Sequence, residues 1–97
     1  MALGGGNISI STSPQTIHAL LSLVSRQYYS QLTIKAFDDN VGNVFVGKSG
    51  VSSSAYIVRL TPGSSYTWGP FSHRPLNSEE VYIVGSSGDD VEINTVE

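Results

Sequence analysis

The chain has 97 residues, no cysteine and a net charge of −3 with only five basic side chains. That length allows one domain around one modest core, and the missing cysteines exclude disulfides, iron–sulfur clusters and cysteine zinc sites. The cations Arg26, Lys35, Lys48, Arg59 and Arg74 are scattered and give no clustered footprint for nucleic acid.

Charged residues make up 13% of the chain, about half the usual ~25%. Serine and glycine fill the surface instead, so contact with other protein surfaces meets little repulsion. No apolar run approaches the ~18 residues of a membrane span. The first seven residues have neither a basic n-region nor an apolar h-region, so no signal peptide is expected and synthesis is expected in a cytoplasm.

Residues 1–7 read as a flexible N-terminal arm, because Gly4-Gly5-Gly6 loses much entropy on ordering. Residues 8–97 read as the single folded domain. Ile8-Ser9-Ile10-Ser11 alternates as a half-buried strand does. Thr12 or Ser13 then suits a helix cap, with Pro14 in the first turn. Ile17, Leu20, Leu21 and Val24 fall at i, i+3, i+4 and i+7, which predicts one short helix near residues 14–24. A strand competes there, since residues 17–23 are mostly apolar.

From residue 30 onward the pattern is β throughout. Strands are predicted at Leu32–Ala36, Val44–Gly47, Tyr56–Leu60, Ser65–Trp68, Val81–Val84 and Val91–Asn94. Turn chemistry separates them: Asp38 to Asn43, the small-residue loop from Gly50 to Ser54, Thr61-Pro62-Gly63-Ser64, a longer loop from Gly69 to Ser78, and Gly85 to Asp90. The expected fold is all-β in the main: a small antiparallel sandwich or barrel of about six to seven strands with one short N-terminal helix.

No constellation points to catalysis. Asp38-Asp39 and Asp89-Asp90 lack the alternating ligand spacing of a calcium loop and suit turns instead. Glu79-Glu80 reads as a solvated strand start, and neighbours on a strand face opposite ways, so they cannot flank a glycosidic bond together. His18 and His73 have no metal-like partner at short spacing, and no Gly-x-Ser-x-Gly elbow is present. Gly47-Lys48-Ser49 lacks the first glycine of a phosphate loop. No catalytic residue, cofactor or metal is therefore assigned.

The aromatic set offers more. Tyr66, Trp68 and Phe71 lie close together, followed by His73 and Arg74. Tyr66 and Trp68 share a strand face, and tyrosine, tryptophan and arginine are enriched at interface hot spots. Trp68 equally suits the core anchor of a sandwich. Tyr28-Tyr29 beside Arg26 carries the same ambiguity.

Leu32-Thr33-Ile34-Lys35-Ala36 followed by Gly42-Asn43-Val44-Phe45-Val46-Gly47-Lys48-Ser49 resembles small virion proteins of tailed bacteriophages, where a "GNVYVG" strand follows an "LTI" strand. Leu60-Thr61-Pro62-Gly63-Ser64-Ser65-Tyr66-Thr67 resembles their "L-x-PG-x-S" turn. The stretch from Val81 to Val91 resembles their closing "IYVVGSSGD-x-V" hairpin. The resemblance covers residues 30–97. It implies a virion structural protein, foremost a capsid decoration (cement) protein that binds the major capsid protein or another virion protein and stabilises the assembled head.

It also implies a homotrimer at the capsid surface, made in the host bacterial cytoplasm, with no nucleic-acid or membrane partner. The contact residues expected on this reading are Leu3, Gly4, Gly5, Gly6 and Asn7 in the arm, with Tyr66, Trp68 and Phe71. The alternative is a tail-fibre or tail-associated module that binds carbohydrate by stacking a sugar on Trp68.

Overall fold

The computed structural model describes residues 8–22, 28–69 and 76–96. The fold is mainly β, with antiparallel sheets. Chain order gives β1 (Ile8–Ser9), β2 (Gln15–Thr16), α1 (Ile17–Leu20), β3 (Tyr28–Tyr29), β4 (Gln31–Ala36), β5 (Val44–Gly47), β6 (Val58–Leu60), β7 (Ser65–Trp68), β8 (Leu76–Asn77), β9 (Tyr82–Val84) and β10 (Asp90–Val96). One four-stranded sheet runs β1-β10-β4-β7, a second runs β2-β9-β5-β6, and β3 pairs with β8 in a short ribbon.

The longest pairing, β4 with β10, sets the inside and outside of the first sheet. Its register places Ala36 opposite Val91, Ile34 opposite Ile93 and Leu32 opposite Thr95. All six are buried, as strict alternation along both strands requires. The residues between them, Thr33, Lys35, Glu92 and Asn94, face away from the core and are all polar. Thr33 and Thr67 share a hydrogen bond of 2.8 Å across this outer face.

The second sheet contributes Val44, Val46, Leu60 and Ile83 to the same hydrophobic cluster, joined by Ile10, Ile17 and Tyr29. Its outward positions differ in character. Phe45 stands opposite Arg59 and Val84, and Gly47 opposite Tyr82. The loop after β5 folds back over them. A Cβ on Gly47 would lie 3.1 Å from a Val51 methyl, and the Phe45 and Tyr56 rings stand 5.1 Å apart. Val51 is thereby buried.

Three expectations are corrected. Among the described residues the helix covers Ile17–Leu20, with Val24 of the expected stripe outside them, and its cap is Thr16, whose side chain accepts from the Ala19 N–H. The residues before it, expected to be its first turn, pair instead as β2 against β9. A β-partner was available there, and pairing satisfies more backbone groups than a free first turn does. The loop expected from Gly69 to Ser78 contains β8, whose partner β3 lies far away in sequence. The strand expected at Tyr56–Leu60 begins at Val58, preceded by a small bridge between Ser52 and Ala55 and by the Ile57 N–H donating to the Val46 carbonyl. The described residues thus hold ten strand segments rather than six or seven, four of them two residues long.

The Thr61–Ser64 turn forms as its sequence requires. Ser64 N–H donates to the Thr61 carbonyl at 2.9 Å, with Gly63 at φ +86° in the third position. That sign of φ at the third position defines a type II turn and calls for glycine.

Candidate functional site

Two edge strands meet at one lateral margin of the molecule. β6 ends the second sheet, β7 ends the first, and the Thr61–Ser64 turn joins them so that they touch. Five large hydrophobic residues are exposed among those described; Tyr56 and Ile57 directly precede β6, Tyr56 packing on Phe45, and Tyr66 lies on β7. The chain leaves one sheet edge and enters the other without a covering strand, so apolar side chains near both edges stay in water.

Trp68 and Tyr66 lie on the same side of β7, their ring centroids 4.7 Å apart. Their register partners are Leu32 and Ile34, both core residues. Trp68 accordingly packs against the core while staying partly accessible, whereas Tyr66, one residue pair closer to the turn, remains 47% exposed. Sequence reasoning left Trp68 between core anchor and contact residue, and its position at a sheet edge gives it both surroundings.

Beside Trp68 opens a concavity of about 720 Å³. Ile57, Leu76, Val81 and Tyr82 give it apolar walls, with Lys48, Glu79 and Glu80 among its polar lining. Glu79 and Glu80 stand in the turn after β8, not at a strand start as expected. The Asn77 N–H donates to a Glu80 carboxylate oxygen at 2.9 Å, and the Glu79 N–H donates to Asn77 Oδ1 at 2.7 Å. These bonds make the pair part of the turn's own scaffold.

His18 has a partner that spacing alone did not show. Its Nδ1 lies 3.1 Å from Ser78 Oγ, sixty residues along the chain. Ser78 is fully buried, so its hydroxyl is shut off from any substrate and serves to fix α1 against the turn after β8. The same contact is reinforced where the His18 N–H donates to the Ser78 carbonyl.

The acidic turns divide into two kinds. Asp38 and Asp39 are exposed. Asp89 is 4% exposed, and its carboxylate spans two loops: Val41 N–H donates to Oδ1 and Gly42 N–H to Oδ2, each at 2.9 Å. Asn40 completes the clamp, its Nδ2 donating to the Asp90 carbonyl and its Oδ1 accepting from the Asp90 N–H. Local turn bonding was expected of Asp89; its partners lie across the fold. Among the described residues no group of three or more His, Asp or Glu is placed to hold a metal ion.

Leu3, Gly4, Gly5, Gly6, Asn7 and Phe71 lie outside the described residues, as do His73 and Arg74. Tyr66 and Trp68 alone of the expected contact residues are described, and they fall together on β7. Tyr56 and Ile57, which sequence reasoning placed inside a strand, precede β6 instead, and Ile57 lines the concavity with Trp68. The signal available for Ile57 was its place after the small-residue loop, where no alternation demands burial. No protein-family model, curated protein or solved structure matches the chain.

Proposed function

We propose that this protein is a structural component of a tailed-phage virion, foremost a capsid decoration protein that docks on the assembled head and stabilises it. The observation that carries the docking part is the unequal surface. One outer sheet face is polar, while the β6–β7 margin carries exposed Ile57 and Tyr66, Ile57 lining with Trp68 a concavity that opens there. Exposed apolar clusters rimmed by polar residues mark sites of protein association. The phage part rests on the resemblance in residues 30–97, whose motifs coincide with β4, β5, the Thr61–Ser64 turn and the β9–β10 connection; that connection crosses from one sheet to the other and is not the hairpin expected of it.

On this reading the two sheets face each other as a β-sandwich, copies associate as trimers, and the major capsid protein is the partner. The mechanism is mass action and needs no catalytic step. A protein that binds only the assembled shell stabilises it by its binding free energy, and many copies on one particle share the load. Assembly on the head places the protein at the virion surface after synthesis in the host bacterial cytoplasm.

The test is co-sedimentation with capsids that lack the protein, alongside light scattering of the free protein. Saturable binding at a fixed ratio to the major capsid protein is expected. A stable folded protein that leaves such capsids bare contradicts the proposal. A second reading, a tail module that stacks a sugar on Trp68, is favoured by the presence of Trp68 and Tyr82 on one concavity. It predicts saturable glycan binding by the free protein, measured by titration calorimetry.

A further inference from the structure

Four strands form the margins of the two four-stranded sheets, and they are not equally protected. β1 and β2 are two residues long, and β6 carries Arg59. Short edges and edge charges are the devices that keep a margin from pairing with another chain. β7 has neither. Its four residues, Ser65-Tyr66-Thr67-Trp68, carry no charge and no proline, and among the described residues its only strand partner is β4.

The direction of its backbone groups follows from the ladder. Ala36 donates to the Ser64 carbonyl and accepts from the Gly63 N–H. Alternation from that point turns the backbone groups of Ile34 and Leu32 toward Tyr66 and Trp68. The N–H and C=O of Ser65 and Thr67 then point away from the sheet. An added strand would set its own residues opposite Tyr66 and Trp68 on the core-facing side, next to the concavity lined by Trp68, Ile57 and Leu76.

From these two features we infer that β7 is a strand-addition site: an extended segment of a partner polypeptide pairs with Ser65–Trp68 and seats an apolar side chain in the concavity beside Trp68. The hydrogen-bonding pattern decides the class of occupant. Donors and acceptors repeating along an extended edge are matched by another extended backbone, with affinity from the main chain and selectivity from the adjoining pocket. That the partner is a capsid protein rests on the function proposed above.

The experiment uses the full chain and capsids lacking it. Amide hydrogen exchange is compared between free and capsid-bound protein. The Ser65 and Thr67 amides are expected to slow at least tenfold on binding, with smaller changes at Tyr66 and Ile34, already held in the ladder. In parallel, Thr67→Pro removes the outward N–H at a position where edge strands tolerate proline, and at least a tenfold loss of capsid affinity is expected. Thr67→Val, which removes the bond to Thr33 but keeps the N–H, is expected to bind as the wild type does. If Thr67→Pro fails to fold, the exchange data on the wild type decide. Capsid binding with unchanged exchange at Ser65 and Thr67 overturns strand addition and leaves the proposed function standing. No capsid binding by the wild type overturns both.

Discussion

Asp89 holds two loops together through one side chain. Its oxygens take the Val41 and Gly42 N–H groups in a nearly solvent-free position, and hydrogen bonds to a charged acceptor contribute about 1.5–3 kcal/mol each. Asp89→Asn turns one acceptor into a donor facing an N–H, so a stability loss of about 2 kcal/mol is expected in urea denaturation. Asp39→Asn, at an exposed turn position, is expected to stay within about 0.5 kcal/mol of the wild type. Equal effects at the two sites would contradict the clamp. Gly63 supplies a second residue-scale case. Its φ of +86° is costly for any residue with a Cβ, so Gly63→Ala is expected to cost about 1–2 kcal/mol. The identity of Gly63 was legible in the Pro-Gly turn motif. The role of Asp89 was not, because Asp-rich turns look alike until a distant loop supplies the partner.

At the scale of elements, alternation carried the reading. Val44–Gly47 and Ser65–Trp68 form as expected, and β4 and β10 extend only slightly past their expected bounds. β4 and β10 announce themselves because one face is buried and the other is not, whereas β5 is a short apolar run mostly buried on both faces and β7 lies largely in solvent. β2, β3 and β8 gave no such signal. A two-residue pairing has no period to detect, and its stability comes from the strand it meets. The same physics shortened the helix: Gln15 and Thr16 are drawn onto β9, leaving Thr16 to cap a single turn. Two substitutions measure the difference. Ile34→Ala removes a fully buried side chain from the β4 core face, with an expected loss of about 2–5 kcal/mol in thermal or urea unfolding. Thr16→Ala removes only the cap, with an expected loss of about 1 kcal/mol. A cost at Thr16 as large as that at Ile34 would mean that the strand–helix junction, and not the sheet interior, holds the fold.

For the whole molecule, the governing feature is a surface divided between a polar sheet face and an apolar margin. The polar face was readable from Thr33, Lys35, Glu92 and Asn94 alternating with core residues. The margin was half readable: Tyr66 and Trp68 were singled out by type, but the meeting of Ile57 with Trp68 at one concavity depends on which edges the chain connects. Local patterns do not encode that connection, because it arises when two sheets close over one core. The docking account places the contact at this margin, and a single comparison tests it. Capsids lacking the protein are mixed with the wild type and with the triple variant Tyr56→Ser, Ile57→Ser, Tyr66→Ser, all at exposed positions, and bound protein is quantified after sedimentation. The account predicts saturable binding by the wild type and at least a tenfold weaker affinity for a variant that keeps its far-ultraviolet circular dichroism. A folded triple variant that binds capsids as tightly as the wild type would contradict it.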